Sequence, residues 1–297
     1  MTKIIAGSSS KKLAQQLSAI LNITQVEAFI ERFEDEELRV QLANGVHDED
    51  VIIVQSTSKP ANDHLMELLL LVDAAKRSGA RRVIALVPYF GYSRQDRPSY
   101  AFGPISARLV ATLIEAAGVD ELITIDLHSQ QTEEFFKIGL QNIETTSLFA
   151  DFLKAKQKLM IVSPDIGGTI RARKLSSVIG AEFVVINKIR KSHNTCQMAE
   201  ISGDVLGQHC VLIDDIVDTG GTLCKAAEFL MQRGALSVEA IVTHAVLSGQ
   251  AVMNIERSAI KKITVTGTIE QTQLPSKFLI ANISDLLGKN LKRMIKS

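Results

Sequence analysis

The sequence predicts an α/β protein of two domains, each a mostly parallel sheet flanked by helices. Three observations predict it. Short apolar runs alternate with helical patterns along the chain, as βαβ units require. At 297 residues the chain exceeds one ordinary domain. The alternation falls into two sets, before and after residues 142–150.

Composition narrows the class. Hydrophobic residues make up 46% and charged residues 22%, which suits a globular chain with a large core. Lys+Arg and Asp+Glu both number 33, so there is no basic excess for bulk binding to nucleic acid or an anionic membrane. No apolar run approaches the roughly 18 residues of a membrane-spanning helix, and the N-terminus lacks a signal-peptide layout. Cys196, Cys210 and Cys224 are odd in number and lack metal spacing. Reduced thiols in a cytoplasm fit them.

In the first set, strands are expected at residues 3–6, 51–54, 83–87 and 122–125, with helices at 63–78 and 105–117. Gly7-Ser8-Ser9-Ser10 follows the first strand and reads as a helix cap. Residues 33–40, FEDEELRV, hold four consecutive acids and read as a solvated loop. Residues 87–108 are more informative. All three tyrosines, Tyr89, Tyr92 and Tyr100, lie there with Arg94 and Arg97. A loop this long between strand and helix is functional or disordered, and aromatics speak against disorder. Rings stack on bases and guanidinium forks hold phosphates, so a nucleotide suits it. An interface arm suits it equally. Asp126 and His128 close the strand at 122–125, where they fit a metal-bound triphosphate, although a lone histidine there is more often structural.

In the second set, strands are expected at 159–162, 183–186, 211–213, 238–242 and 263–266. Ser163-Pro164-Asp165-Ile166-Gly167-Gly168-Thr169 leads into a helix at 170–179 that carries Arg171 and Arg173. Lys188, Arg190, Lys191 and His193 form a basic cluster, read as a mobile clamp beside a phosphate site. The sharpest stretch is residues 211–223, VLIDDIVDTGGTL. An apolar strand stops at Asp214 and Asp215; Asp218-Thr219-Gly220-Gly221-Thr222 follows, and a helix pattern begins at once and stops at Gly234. Ligands of open parallel sheets bind beyond the carboxyl ends of strands. Backbone N–H groups, threonine hydroxyls and the helix N-terminus make a phosphate cradle there, and the paired acids accept from ribose hydroxyls.

This stretch resembles the 5-phosphoribosyl-diphosphate (PRPP) motif of type I phosphoribosyltransferase folds. With PYFGYSRQD, PISARLVATLIEAAGVD, DLHSQQTEEFF, SPDIGGTIRAR and THAVLSG, most of the chain resembles the ribose-phosphate diphosphokinase (PRPP synthetase) family. The resemblance implies two type I phosphoribosyltransferase-like domains. Residues 1–144 would carry the ATP-handling loop and oligomer contacts, residues 145–283 the ribose-5-phosphate loop, and residues 284–297 would pack back on the first half.

It also implies a reaction: diphosphoryl transfer from Mg-ATP to the C1 hydroxyl of ribose 5-phosphate, giving PRPP and AMP in the cytoplasm. Carried over by position, Lys188 and Arg190 are catalytic. Phe33, Asp35, Glu36, Glu37, Arg94, Gln95 and Asp96 serve ATP. Asp214, Asp215, Asp218, Thr219, Gly220, Gly221 and Thr222 hold ribose 5-phosphate, and His128, Asp165 and Asp126 hold Mg²⁺. The expected partners are ATP, ribose 5-phosphate and further copies of the chain, as a hexamer built from dimers, with no nucleic acid or membrane.

The chain departs from the family in four places. Glu36 stands where a glycine is usual and Asn187 where an aspartate is usual. Residues 44–50 lack the usual Arg-Gly, and residues 98–103 lack the usual basic groups. Many family members respond to free phosphate and ADP at an interface site, so these last two changes imply weak or absent control by those anions. Two other readings use the same motif: a PRPP-consuming phosphoribosyltransferase and a non-catalytic regulatory relative. The two-domain length and RQD loop speak against the first, and Lys188, Arg190, His128 and Asp218 against the second.

Overall fold

In chain order the strands and helices are β1 (Thr2–Ala6), α1 (Lys11–Leu21), β2 (Thr24–Val26), β3 (Ala28–Arg32), β4 (Leu38–Leu42), β5 (Asp50–Val54), α2 (Ala61–Arg77), β6 (Arg82–Val87), α3 (Ser106–Ala117), β7 (Glu121–Ile125), β8 (Gly139–Ile143), α4 (Thr146–Leu153), β9 (Leu159–Ser163), α5 (Thr169–Ile179), β10 (Glu182–Ile189), β11 (Met198–Ile201), β12 (His209–Val217), α6 (Gly221–Gln232), β13 (Ser237–Ala245), α7 (Ala251–Arg257), β14 (Ile260–Thr266), β15 (Phe278–Ala281) and α8 (Ser284–Ile295). The structure, a computed structural model, describes residues 1–154, 158–189 and 198–295. It comprises two units. One is Met1–Ile143 with Thr268–Glu270 and Asn282–Ser297; the other is Glu144–Gly267 with Gln271–Ala281.

The first unit holds a six-stranded sheet in the order β2-β1-β5-β6-β7-β8. Every pairing in it is parallel. The central strands DVIIV and RVIALV are buried on both faces, so they read as apolar runs rather than alternations. One face receives Leu68, Leu71, Val72 and Ala75 of α2 with Val110 and Ile114 of α3. Helix α8 belongs to this unit and packs on α1 at close range. A Cβ at Gly288 would stand 2.6 Å from Ile20, so only glycine fits there. Strands β3 and β4 form a separate antiparallel hairpin.

The second unit holds seven strands in the order β11-β10-β9-β12-β13-β14-β15. All pairings are parallel except β10 with β11. Strand β12 shows how both faces are covered. Cys210 and Leu212 join the core with Leu223, Ala226, Ala227 and Leu230 of α6. Val211 and Ile213 pack instead with Phe149 and Leu153 of α4 and Ala172 and Leu175 of α5. These are the parallel sheets flanked by helices that the alternation predicts.

Two local expectations change, and the solvated acidic loop is narrowed to residues 33–37. Strand β12 does not stop at Ile213 but runs through both carboxylates to Val217. Parallel pairing of Asp214 with Val242 and Ile216 with His244 sustains the ladder, because backbone bonds ignore side-chain polarity. The acidic loop is the tip of the β3–β4 hairpin, with residues 33–37 exposed. Strands β2 and β8, at the edges of the first sheet, carry too few apolar residues to stand out, and β15, FLIA, is too short to.

Candidate active site

The second sheet reverses its strand order at β9. Strands β10 and β11 lie on one side of it, and β12 to β15 on the other. The loops after β9 and β12 therefore flank one crevice, where open α/β sheets take their ligands.

The β12 side supplies the acid pair. The Asp214 side chain is 18% exposed and the Asp215 side chain 7%. The Asp215 N–H donates to Asp214 Oδ1 at 2.9 Å. Burial, then the adjacent Asp215 and more weakly Asp165, hold the Asp214 carboxyl well above the usual carboxylate range, against the pull of Arg171. That arginine, one turn into α5, donates from Nη1 to Asp215 Oδ1 at 3.4 Å and lies 3.8 Å from Asp214 Oδ1. Two like charges sharing one cation leave acceptor capacity for ligand hydroxyls.

After β12 the chain turns through Asp218 and the exposed Thr219 to Gly220, whose φ is 77°. A Cβ there would lie 3.1 Å from Ile255, so the left-handed turn and the close approach to α7 both call for glycine. Gly221 begins α6, and the exposed Thr222 sits in its first turn. The helix start makes no side-chain cap bond, which leaves its first N–H groups to face a ligand. The carbonyls of Val217 and Asp218 accept the N–H groups of Leu247 and Ser248, each at 3.0 Å, and the Thr219 carbonyl accepts Asn254 Nδ2 at 3.3 Å.

The β9 side supplies Asp165, whose Oδ1 accepts the Gly168 N–H at 3.2 Å and whose carbonyl accepts Ser163 Oγ at 2.6 Å. These bonds hold the loop over the end of β9. Lys188 lies on β10, its backbone opposite Ala199 of β11. Arg190, the second expected catalytic residue, falls outside the described residues.

In the first unit, the stretches expected to serve ATP meet the first turn of α2. Arg32 Nη1 donates to the Glu36 carbonyl at 2.9 Å, and its Nη2 donates to Asp63 Oδ2 at 2.5 Å. Tyr92 Oη donates to Asn62, the neighbouring residue of that turn. The hairpin tip is closed by Phe33 N–H to the Glu37 carbonyl at 3.0 Å, and Asp35 Oδ1 accepts the Glu37 N–H at 3.2 Å. Glu36 occupies the left-handed region at φ 70°, which explains why a glycine suits that position. Arg94 and Gln95 are exposed while Asp96 is buried. Ser106 Oγ donates to Gln95 Oε1 at 2.7 Å. His128 is exposed just beyond β7, and Asp126 adopts φ 38°. Among the described residues no three His, Cys, Asp or Glu side chains gather as a metal cluster.

The first unit has a corresponding crevice, between β1 and β5, and it is filled from within. Ser8 donates to Glu67 from both N and Oγ at 2.6 Å, and Gln55 Nε2 donates to Glu67 Oε1 at 2.9 Å. Ser9 Oγ donates to Gln55 Oε1 at 2.7 Å. The serine run therefore does not cap α1, as expected from sequence. No side-chain cap bond forms, because these serines are drawn to Gln55, Ser56 and Glu67 instead.

Sequence reasoning missed Arg171 as the partner of the acid pair and residues 247–254 as the support of the turn. Arg171 was visible as a cation in the first turn after the Asp165 loop; nothing in residues 247–254 signals their role.

The chain matches two family models: the N-terminal domain of ribose phosphate pyrophosphokinase over residues 2–118, and the phosphoribosyl transferase domain over residues 131–276. It is 45% identical to the ribose-phosphate pyrophosphokinase of Brucella melitensis, covering 98% of this chain and 96% of that one. The Mesorhizobium japonicum protein of the same name is also 45% identical, with the same coverage. The fold of the present chain superposes on the crystal structure of phosphoribosylpyrophosphate synthetase from Mycobacterium smegmatis with a TM-score of 0.93, over 99% of both chains, at 31% identity. With matched models over nearly the whole sequence and such relatives at full length, the chain belongs to the ribose-phosphate pyrophosphokinase family.

Proposed function

We propose how this chain's residues carry the activity of its family, diphosphoryl transfer from ATP to the C1 hydroxyl of ribose 5-phosphate, giving PRPP and AMP. The observation that carries the reading is the β12–α6 turn, a glycine-built anion cradle placed directly after a half-buried acid pair. Asp218, Thr219, Gly220, Gly221 and Thr222 hold the 5-phosphate through N–H and hydroxyl donors. Asp214 and Asp215 accept from the ribose hydroxyls, which fixes the ring and aims the C1 hydroxyl out of the crevice. Phe33, Asp35, Glu36 and Glu37 on the hairpin, with Arg94, Gln95 and Asp96, serve the nucleotide. Asp96 acts from its buried position by ordering the loop that presents the other two.

The C1 hydroxyl oxygen attacks the β-phosphorus of ATP, the bond from that phosphorus to the oxygen it shares with the α-phosphorus breaks, AMP leaves with that oxygen, and the hydroxyl proton passes to solvent. Lys188 and Arg190 neutralise the charge that gathers on the transferred group, where positioning and charge supply most of the acceleration. Carboxylate oxygens are hard donors, so Asp165 in the second unit and, separately, Asp126 with His128 in the first would each hold a Mg²⁺ together with water and substrate phosphates. When bound, that ion screens the phosphate oxygens from the incoming hydroxyl.

The chain works as a homo-oligomer, a hexamer built from dimers. Tyr100 at 82% exposure, Phe102, Leu109 and Leu113 support this, as large apolar side chains left uncovered in one chain. No helix among the described residues is long and apolar enough to cross a membrane, and Cys210 and Cys224 are free thiols, which suits the cytoplasm. The test is to incubate the protein with ATP, Mg²⁺ and ribose 5-phosphate and to measure AMP and PRPP. Equimolar AMP and PRPP is the expected result; ADP as the product, or no turnover, refutes the assignment.

A further inference from the structure

We propose that Asn254, on the exposed side of α7, is a positioning residue for the sugar-phosphate turn: it holds the Thr219 peptide so that the turn's N–H groups face the 5-phosphate. The proposal rests on the assignment of residues 218–222 to that phosphate.

In a trans peptide the C=O and the following N–H point in opposite directions. The carbonyls of Val217, Asp218 and Thr219 are all turned toward residues 247–254. The N–H groups of Asp218, Thr219 and Gly220 therefore point the other way as a row of donors, the arrangement that makes an anion-binding concavity. The first two carbonyls are held by backbone N–H groups of Leu247 and Ser248 at 3.0 Å, and no side-chain change there removes the donors. Leu247 keeps a left-handed φ of 50° in doing so. The third carbonyl rests on one side-chain donor, Asn254 Nδ2 at 3.3 Å. The next residue, Gly220, sits close on α7, where a Cβ would lie 3.1 Å from Ile255. Helix α7 is itself a fixed base: Lys277 Nζ donates to the carbonyls of Ile255, Glu256 and Ser258 at 2.7, 3.0 and 3.1 Å.

Asn254 is exposed, and alanine is the better helix former, so its removal leaves the core and the helix intact. A merely structural residue at this place would leave the Michaelis constant for ribose 5-phosphate alone. The experiment measures PRPP formation by the full-length protein against ribose 5-phosphate at saturating ATP, with ribose 5-phosphate binding by calorimetry and the melting temperature alongside. Asn254→Ala and the similarly sized Asn254→Leu should raise that KM and the Kd about three- to ten-fold, the effect of one lost hydrogen bond, with kcat, the KM for ATP and Tm nearly unchanged. Asn254→Gln keeps an amide donor and should fall between them and wild type. Thr222→Ala serves as the reference for the turn itself. If Thr222→Ala raises the KM and the Asn254 variants do not, the role of Asn254 is refuted while the turn assignment stands. If Thr222→Ala also leaves it unchanged, the turn assignment fails and the proposal with it. A drop in Tm with an unchanged KM marks Asn254 as structural and overturns the proposal as well.

Discussion

Replacing Arg171 with methionine takes away the guanidinium whose Nη1 lies 3.4 Å from Asp215 and 3.8 Å from Asp214. At an effective dielectric near 20, each attraction is worth at most about 4–5 kcal/mol. The net loss is smaller, because the half-buried arginine also gives up its own desolvation cost. Removing one partner of a buried pair costs about 3–5 kcal/mol, and proton uptake by the acids trims this to about 2–3 kcal/mol. The effect should depend on pH with a definite sign. The Asp214 carboxyl is already held above its ordinary range, and it rises further without Arg171. A carboxyl raised in the folded state costs nothing below its unfolded pKa, near 4, and its full cost appears once pH has risen through the folded pKa. The variant should therefore be close to wild type in acid and about 2–3 kcal/mol less stable at pH 8. Urea unfolding of both proteins across that pH range measures this, and adding Asp214→Asn to Arg171→Met should recover part of the loss as a double-mutant coupling. A deficit at pH 8 under about 0.5 kcal/mol, within the range of neutral surface changes, refutes the pairing. So does a deficit that is the same at every pH.

Lys188→Ala should lower turnover about 10²–10³-fold with little loss of ribose 5-phosphate binding, since its charge acts mainly in the transition state; single-turnover kinetics that stay near normal would remove it from the mechanism. Glu36→Gly should stabilise the hairpin tip by about 1 kcal/mol, because Glu36 holds φ 70° at the expense of its Cβ; faster amide exchange at Phe33 and Glu36 would contradict this. Turnover should need little or no added phosphate. Asp48, Glu49 and Asp50 are acids, and Arg81 is already engaged by Asp50 at 2.9 Å. A steep phosphate requirement, or ADP inhibition that saturating ATP cannot relieve, would show that other cations build an effector site.

The β12–α6 turn was legible because one continuous stretch holds every part: apolar strand, paired acids, glycines and a helix start. The length of β12 was not, since Asp214 and Asp215 look like a boundary while the backbone pairs on past them. Partners supplied from elsewhere in the chain left no local trace. Arg171 reaches Asp215 across 44 positions, and Asn254 reaches Thr219 across 35. Neither residue breaks the pattern of its own helix. Edge strands such as β8, GLQNI, escaped for a similar reason, since a strand covered on one side needs few apolar residues to stay in place. In the first unit the serine run looked like a cap because Ser, Gly and a following helix are the local signs of one. What redirects those serines is Glu67, far along the sequence.

That glutamate gives the two halves of the chain unequal appetites. Glu67 is 3% exposed, and its carboxylate takes both donors of Ser8 together with the Gln55 amide. It occupies the first crevice as a ligand attached by its own backbone. A tethered group acts at an effective concentration of order millimolar, and no diffusing anion has to be present for the crevice to be full. The first half is thus saturated from the moment it folds. Titration with ribose 5-phosphate should find one equivalent per chain, taken by the second half alone.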